Sequence, residues 1–251
     1  MSRSVRTFWL PRRGNSPAEY EDASAVDASA GRMAVADGAT ESCFARLWAG
    51  LLVEGFVESR DCPPQQWPAP LPALQQRWEA DVSARKLRWA ASRLVKRGDF
   101  AAFLGLALPV SCDADCRWQA VAVGDTCLLH TRGPTLLRAF PLEHSRQFDN
   151  VPVLVGSRMS TEEVCKRQSL WLDGRGQPGD RLWIMTDALA QWCLAEHEAG
   201  RNPWSELESL LTPPECSDRF ASWIEGLRDA RGLHNDDVTL VAVEFQGLAE
   251  E

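Results

Sequence analysis

The stretch DASAVDASAGRMAVADGA, residues 22–39, decides the reading of this chain. Residues 22–27 and 32–36 are short strand candidates, and SAGR between them is a turn in which Gly31 is free to take positive φ. In an antiparallel pair the start of one strand lies beside the end of its neighbour. Asp22 and Asp37 should therefore face each other, give or take two residues. Downstream, Phe44, Leu47, Trp48, Leu51, Leu52 and Phe56 follow helical spacing, which predicts a helix over 41–58 with Thr40 as its N-cap. DCPPQQWPAPLP (61–72) carries five prolines and reads as a surface connector. Residues 73–97 read as one basic helix with Trp78, Val82, Leu87, Ala90 and Leu94 on its buried side, stopping at Gly98.

Strand patterns then take over. AAFLGLALPV (101–110), RWQAVAVG (117–124), CLLHTRG (127–133) and TLLRAFPL (135–142) alternate with turns at CDAD, GD and RGP. Residues 143–179 are irregular and suit a flap over a site. RLWIMT (181–186) and VTLVAVEF (238–245) are further strands, with helices starting at LAQWCLAEH and marked by Phe220, Trp223, Ile224 and Leu227. VRTFWL (5–10) is a strand expected to run beside the hairpin that bears Asp22. Strands at both ends with helices between them predict an α+β fold of one domain, 1–251, whose termini pair within one sheet.

Four acidic positions share one feature: each sits at a strand end. Asp22 opens a strand and Asp37 closes the next; Asp187 closes a strand and Asp236 lies just before the last. If the 181–186 and 238–245 strands are antiparallel neighbours, and the hairpins pack together, all four carboxylates converge. Clustered carboxylates repel unless cations lie between them. Hard oxygen donors favour Mg²⁺ or Mn²⁺, and Gly38 is small enough for a backbone carbonyl to reach a metal. Taken singly, an Asp-Gly pair is an ordinary turn and an Asp-Asp pair an ordinary solvated one.

The net charge of −8 argues against a nucleic-acid or anionic-membrane partner. Eleven Trp, spread from Trp9 to Trp223, read as core filler. The eight Cys, with no signal-like or membrane-spanning segment, imply free thiols and a cytoplasmic setting. Cys112 and Cys116 have a spacing that suits zinc, yet no second pair or nearby His completes a set. His130, His144, His197 and His234 are isolated; His234, two residues before Asp236, is the one placed to approach the acids. Neither a GxSxG elbow nor a GxxxxGK[ST] loop occurs.

The order of motifs resembles the metal-dependent protein phosphatases, the type 2C serine/threonine family. EYEDA (19–23), VADGA (35–39), VGDTCLLHTRG (123–133), IMTDAL (184–189) and HNDDVTLVAV (234–243) carry the likeness across nearly the whole chain. The resemblance implies two packed antiparallel β-sheets flanked by helices, an α-β-β-α sandwich. It implies a phosphoprotein phosphatase in which two Mn²⁺ or Mg²⁺ ions activate water for in-line attack. Asp37 would bridge both ions and the Gly38 carbonyl would bind one. Asp22 would contact them directly or through water, and Asp187 and Asp236 would complete the set. Asp125 would support a weaker third ion. A phosphorylated protein would be the substrate, and a cognate Ser/Thr kinase a partner.

The sequence departs from the family pattern in three places. The stretch after Asp-Gly reads ATES (39–42), without a His to serve as general acid. Asp187 is followed by Ala188 instead of Gly. Positions 15–18 read NSPA where a phosphate-binding Arg is expected, which leaves Arg12 and Arg13 as the nearest substitutes. The competing readings are a pseudo-phosphatase that binds a phosphorylated partner or kinase without turnover, and a phosphatase of small nucleotides or metabolites.

Overall fold

The computed structural model describes residues 2–85, 89–111, 115–149, 151–167, 169–212 and 216–247. β1 (Ser2–Leu10) precedes the hairpin of β2 (Ala23–Asp27) and β3 (Arg32–Gly38). Helices α1 (Ala45–Glu58), α2 (Leu71–Ser83) and α3 (Trp89–Arg97) follow. Next come β4 (Phe100–Ala107), β5 (Cys116–Val123), β6 (Cys127–Arg132) and β7 (Thr135–Phe140). A short β8 (Val155–Gly156), α4 (Thr161–Arg167) and β9 (Leu170–Gly176) lead to β10 (Asp180–Met185). Helices α5 (Asp187–Glu198), α6 (Pro203–Leu210) and α7 (Cys216–Asp229) precede β11 (Val238–Gln246).

Two antiparallel sheets result. One has the order β1-β11-β10-β6-β7, the other β2-β3-β4-β5-β9 with β8 paired to β4. The ends of the chain do share a sheet, from Ser2 opposite Gln246 to Leu10 opposite Val238. Period-two alternation explains how each sheet serves two cores. In β3, Met33 and Val35 face the other sheet, where Leu182, Ile184, Val241 and Phe245 meet them. Ala34 and Ala36 face the helices and pack under Trp48, Leu52 and Phe56 of α1. Those positions are small because the helix lies close: a Cβ on Gly105 of β4 would sit 2.5 Å from the Phe56 ring. On the far side, Phe8, Trp183 and Leu240 pack against Leu189 and Cys193 of α5, Trp204 of α6, and Phe220 and Ile224 of α7. Each such fully buried side chain contributes roughly 1.5–3 kcal/mol. The layers run helix, sheet, sheet, helix, which is the predicted α+β class.

Several local expectations need correction. α1 starts at Ala45, and Thr40 is not its cap. The Asp99 carboxylate accepts the Cys43 and Phe44 amides at 2.8 and 3.0 Å, so a distant acid does the capping. The 73–97 helix is two helices, and Leu94 is 40% exposed instead of buried; the side chains of Leu87 and Ala90 lie outside the described residues. The 143–179 stretch contains β8, α4 and β9. β1 lies at the edge of the opposite sheet from the β2–β3 hairpin. The Gly124–Asp125 turn joins β5 to β6 across the two sheets and is no hairpin. Trp48, Trp78 and Trp183 fill cores, whereas Trp9 and Trp171 are 50% and 41% exposed. Cys116 is disulfide-bonded, contrary to the expectation of free thiols throughout; Cys112 lies outside the described residues. Cys43, Cys62, Cys127, Cys193 and Cys216 are free. Among the described residues no helix is long and apolar enough to cross a membrane.

Candidate functional site

Strand register brings the acids together. Ala23 faces Ala36 in the hairpin, so Asp22 and Asp37 lie one step beyond, opposite each other. β10 and β11 are antiparallel with Met185 facing Leu240, which sends Asp187 and Asp236 out of the same edge. Met185 also faces Cys127 of β6, which places Asp125 at that edge. Asp37, Gly38, Asp125, Asp187 and Asp236 line one cleft of 590 Å³. Asp22 lies beneath them and is 3% exposed. The backbone is tight at this point: a Cβ on Gly38 would lie 2.6 Å from the Glu21 carbonyl oxygen.

The acids raise one another. Burial, then the charges of Asp22, Asp187, Asp125 and Asp236, push the Asp37 carboxyl well above the usual carboxylate range. Burial and the neighbouring Asp237 and Asp187 do the same to Asp22, against hydrogen bonds from Thr239 and Thr186. Asp125 is pushed up to about 7, chiefly by burial and Asp187. Asp187 is pushed up to about 6 by burial and Asp236, although the Ala188 amide and the charge of His234 pull it down. Burial also raises Asp236, against the charges of Arg12 and Arg228.

Among the described residues none of Asp22, Asp37, Asp125, Asp187 and Asp236 forms an ion pair. A crowded, partly buried carboxylate cluster with no ion-paired partner is stable as anions only when cations from solution join it. The donor set, carboxylate oxygens and a glycine carbonyl, fits Mg²⁺ or Mn²⁺ and not a soft metal. Among the described residues no three acidic, His or Cys side chains form a ready-made cage for an ion. That is compatible with Mg²⁺-type sites, in which one or two carboxylates serve each ion and water supplies the remaining ligands.

The supporting residues escaped the sequence reading. Thr239 Oγ1 donates to Asp22 Oδ2 at 2.7 Å, and the Tyr20 hydroxyl sits on the Thr239 hydroxyl. Thr239 and Thr186 are tied to each other, Thr239 N to Thr186 Oγ1 at 3.0 Å and Thr186 N to Thr239 O at 3.2 Å. Asp237 accepts the amides of Arg12 and Glu21 at 2.7 and 2.6 Å, which fixes the segment between β1 and β2 to the start of β11. Arg228, 6% exposed, donates to the carbonyls of Pro11 and Asp236. Asp237 had a signal, its place beside Asp236. The threonines and Arg228 had none, because their partners are more than two hundred residues away or sit on another element.

The two candidate phosphate-binding arginines behave differently. Arg13 donates to Glu225 Oε2 at 2.6 Å and pairs with Asp229 at 2.8 Å, so its guanidinium is engaged on α7. Arg12 acts electrostatically on Glu21 and Asp236, and lines a groove beside Glu21 and Thr40. Both lie past the end of β1, Arg12 just before and Arg13 within the turn there, so strand alternation does not set their directions. The ATES segment is pinned: Ala39 N donates to Phe100 O at 2.9 Å, and Phe100 N to Ser42 Oγ at 3.0 Å.

No family model and no curated protein sequence matches the chain. Solved structures do. PppA, described as a key regulatory component of T6SS in Pseudomonas aeruginosa, aligns with TM-score 0.60 at 18% identity, over 97% of this chain and 98% of its own. The Mycobacterium tuberculosis serine/threonine phosphatase PstP/Ppp aligns with TM-score 0.64 at 16% identity, over 98% and 99%. The catalytic domain of serine/threonine protein phosphatase PstP, solved in complex with two manganese ions, aligns with TM-score 0.62 at 17% identity, over 98% and 100%. The chain thus has the fold of the type 2C serine/threonine phosphatases.

Proposed function

We propose that the chain is a metal-dependent serine/threonine phosphoprotein phosphatase. The observation that carries this reading is the convergence of Asp37, Asp125, Asp187 and Asp236, with Asp22 beneath them, at one end of the sandwich, where no protein cation pairs with them among the described residues. The fold it shares with a manganese-bound phosphatase domain supports the reading. Asp37 feels the charges of Asp22, Asp187, Asp125 and Asp236 and would be one of the residues that hold the ions. Asp187, Asp236 and the Gly38 carbonyl would be the other donors, and Asp125 would serve a weaker third ion. When bound, Mn²⁺ or Mg²⁺ supplies Lewis acidity and an activated water for in-line attack on a phosphate ester. The protein's part is positional. Thr239 and Thr186 orient Asp22, Arg228 holds the Asp236 backbone, and Arg12 offers positive charge to phosphate oxygens.

Phosphate release from an aryl phosphate and a phosphothreonine peptide, with Mn²⁺, Mg²⁺ or chelator, tests the proposal. Metal-dependent turnover is expected; full turnover in excess chelator overturns it. A second reading, a binding module for a phosphorylated partner or kinase, draws on Asn15, Ser16, Pro17 and Ala18 standing where the resemblance calls for an Arg. Metal-dependent phosphopeptide binding without turnover would select it.

A further inference from the structure

The cleft has a floor of acids and a rim of different chemistry. One side of the rim is the last turn of α3, where Leu94 and Arg97 lie three residues apart on one helix face. The other side is Asp149, Val151, Pro152 and Leu154, and Glu41 also lines the cleft. Arg97 is the only positively charged residue among the described residues that line this cleft. It is exposed. No ion pair or hydrogen bond engages its guanidinium among the described residues. Leu94 is 40% and Val151 84% exposed, so two aliphatic side chains stand in water beside the acids.

The rim on the α3 side is held in place. Gly98 closes the helix with φ of +84°, and a Cβ there would meet Ser157 Oγ at 2.9 Å. Val95 O accepts from both Gly98 N at 3.1 Å and Arg158 Nε at 3.3 Å. Asp99 N, just beyond, donates to Ser157 Oγ at 2.9 Å. A cation on a fixed support selects a partner with little ordering cost.

We propose that this rim selects phosphopeptides bearing an acidic and an aliphatic side chain beside the phosphorylated residue, with Arg97 receiving the acid and Leu94 with Val151 the aliphatic group. The inference rests on the phosphatase reading for its substrate class. Charge complementarity identifies the occupant. A chain of net charge −8 repels acidic peptides generally, so one unengaged Arg beside an acidic floor fixes where a peptide carboxylate can sit. The phosphate itself belongs deeper, over the acids, where Arg12 and Arg228 are the positive charges that act on Asp236. Leu94 and Val151 flank the cleft on its two sides and are the aliphatic groups a bound peptide would meet there.

The test compares phosphothreonine peptides in which Glu and Leu are moved one position at a time around the phosphorylated residue, with Lys and Ser replacing them as controls. Wild type should favour its best Glu peptide over the Lys peptide by about fivefold to tenfold in kcat/KM, the range of one exposed charge-assisted contact. Arg97→Ala should erase that ratio, and Arg97→Glu should reverse it, with unchanged melting temperature as the folding control. Leu94→Ser and Val151→Ser should erase the preference for Leu and leave the Glu preference. Fluorescence anisotropy with labelled non-hydrolysable phosphonate peptides reads the same ratios without turnover. If neither aryl phosphate nor peptide is hydrolysed, the phosphatase reading fails, and the anisotropy ratios still decide the rim. Equal ratios for Glu and Lys peptides in wild type, or a Glu preference that survives Arg97→Glu, would overturn the proposal.

Discussion

β10 opens on a buried acid, Asp180, and is followed two residues past its end by a half-buried one, Asp187, and the two have opposite fates. At the start, Asp180 is fully buried, and its oxygens accept from Arg132 Nε at 2.5 Å, Arg132 Nη2 at 3.1 Å, His130 Nε2 at 2.9 Å and the Gln177 amide at 3.0 Å. Burial pushes that carboxyl up, but the hydrogen bonds from Arg132, Gln177 and His130 outweigh it and hold it below the usual range. At the far end, Asp187 accepts one amide, from Ala188 at 2.6 Å, faces like charges, and is pushed up to about 6. β10 is thus flanked by one acid that folding satisfies and by one that folding leaves without an ion-paired cation. The difference sets a carboxylate that the fold satisfies apart from one left for the proposed metal, without reference to any family.

Substitutions at the two ends should break this comparison most sharply. Asp37→Asn, Asp187→Asn and Asp236→Asn should each lower turnover of an aryl phosphate by at least ~10²-fold. Their melting temperatures should hold or rise, because each removes a like charge from a crowded cluster. Asp180→Ala should do the reverse. It leaves His130, Arg132 and the Gln177 amide without their acceptor, costing about 2–3 kcal/mol of stability, with turnover per folded molecule preserved. Steady-state kinetics with thermal melts on the same variants decide the matter. Near-normal rates in all three Asn variants would remove the site assignment.

The pH response of the chelated protein should differ in sign at the two ends. For Asp125 and Asp187 the folded values, about 7 and about 6, lie above the ordinary 3.8. Their contribution to stability is fully present below the unfolded value and is lost as pH rises through the folded values. Asp180 is depressed, so its contribution is present above the unfolded value and lost as pH falls through its folded one. His130 is lowered by burial, against the pull of Asp180, so protonation in the unfolded chain below its ordinary 6.5 also favours unfolding. Melting temperature in chelator should therefore fall from pH 5 to pH 8 by a few degrees, of order 2–4 °C per kcal/mol. Mn²⁺ should abolish that fall by occupying the charged form. Asp180→Ala should flatten only the acid limb. A chelated melting curve that rises from pH 5 to pH 8 would count against the uncompensated cluster.

What the sequence disclosed follows from range. The Asp22–Asp37 juxtaposition was legible because a short turn fixes hairpin register, and Ala23 does face Ala36. The sharing of an edge by Asp187 and Asp236 required only that two strands be antiparallel neighbours. The position of β1 was not legible. VRTFWL carries no mark of which sheet it joins, and its pairing with β11 spans the whole chain. The break in the 73–97 helix was hidden by continuous apolar spacing. Thr239 beneath Asp22 was hidden because a hydroxyl in a strand looks the same whether it faces solvent or a buried acid.

A smaller effect separates Arg12 from Arg13. Arg12→Ala should raise KM for an aryl phosphate about tenfold with a lesser change in kcat, because the contact exists before the transition state. Arg13→Ala should leave both constants near wild type. It should leave the melting temperature near wild type, since its pairs with Glu225 and Asp229 are exposed. Equal kinetic effects from the two variants would show that the engaged guanidinium on α7 is as available to phosphate as its neighbour.

The smallest predicted loss of turnover falls on Asp125, which stands between the two kinds of acid. It sits where the chain crosses from β5 to β6, next to Gly124 at φ of +94°, where a Cβ would lie 2.7 Å from both Ala102 Cβ and Val153 O. A turn aspartate usually caps its own backbone, and such a residue would be needed for folding. Among the described residues the Asp125 carboxylate caps no amide beyond its own, is 7% exposed, and is pushed up to about 7 by burial and by Asp187. The turn is held by its glycine more than by its acid. Asp125→Ala should therefore leave the melting temperature in chelator unchanged or slightly raised, since it removes a like charge. Turnover at saturating Mn²⁺ should fall about threefold to fivefold, and the weakest of the metal-binding events seen by calorimetry should disappear. A loss of more than about 1 kcal/mol in chelator with full turnover per folded molecule would move Asp125 to the Asp180 side of the comparison, as an acid that serves the fold.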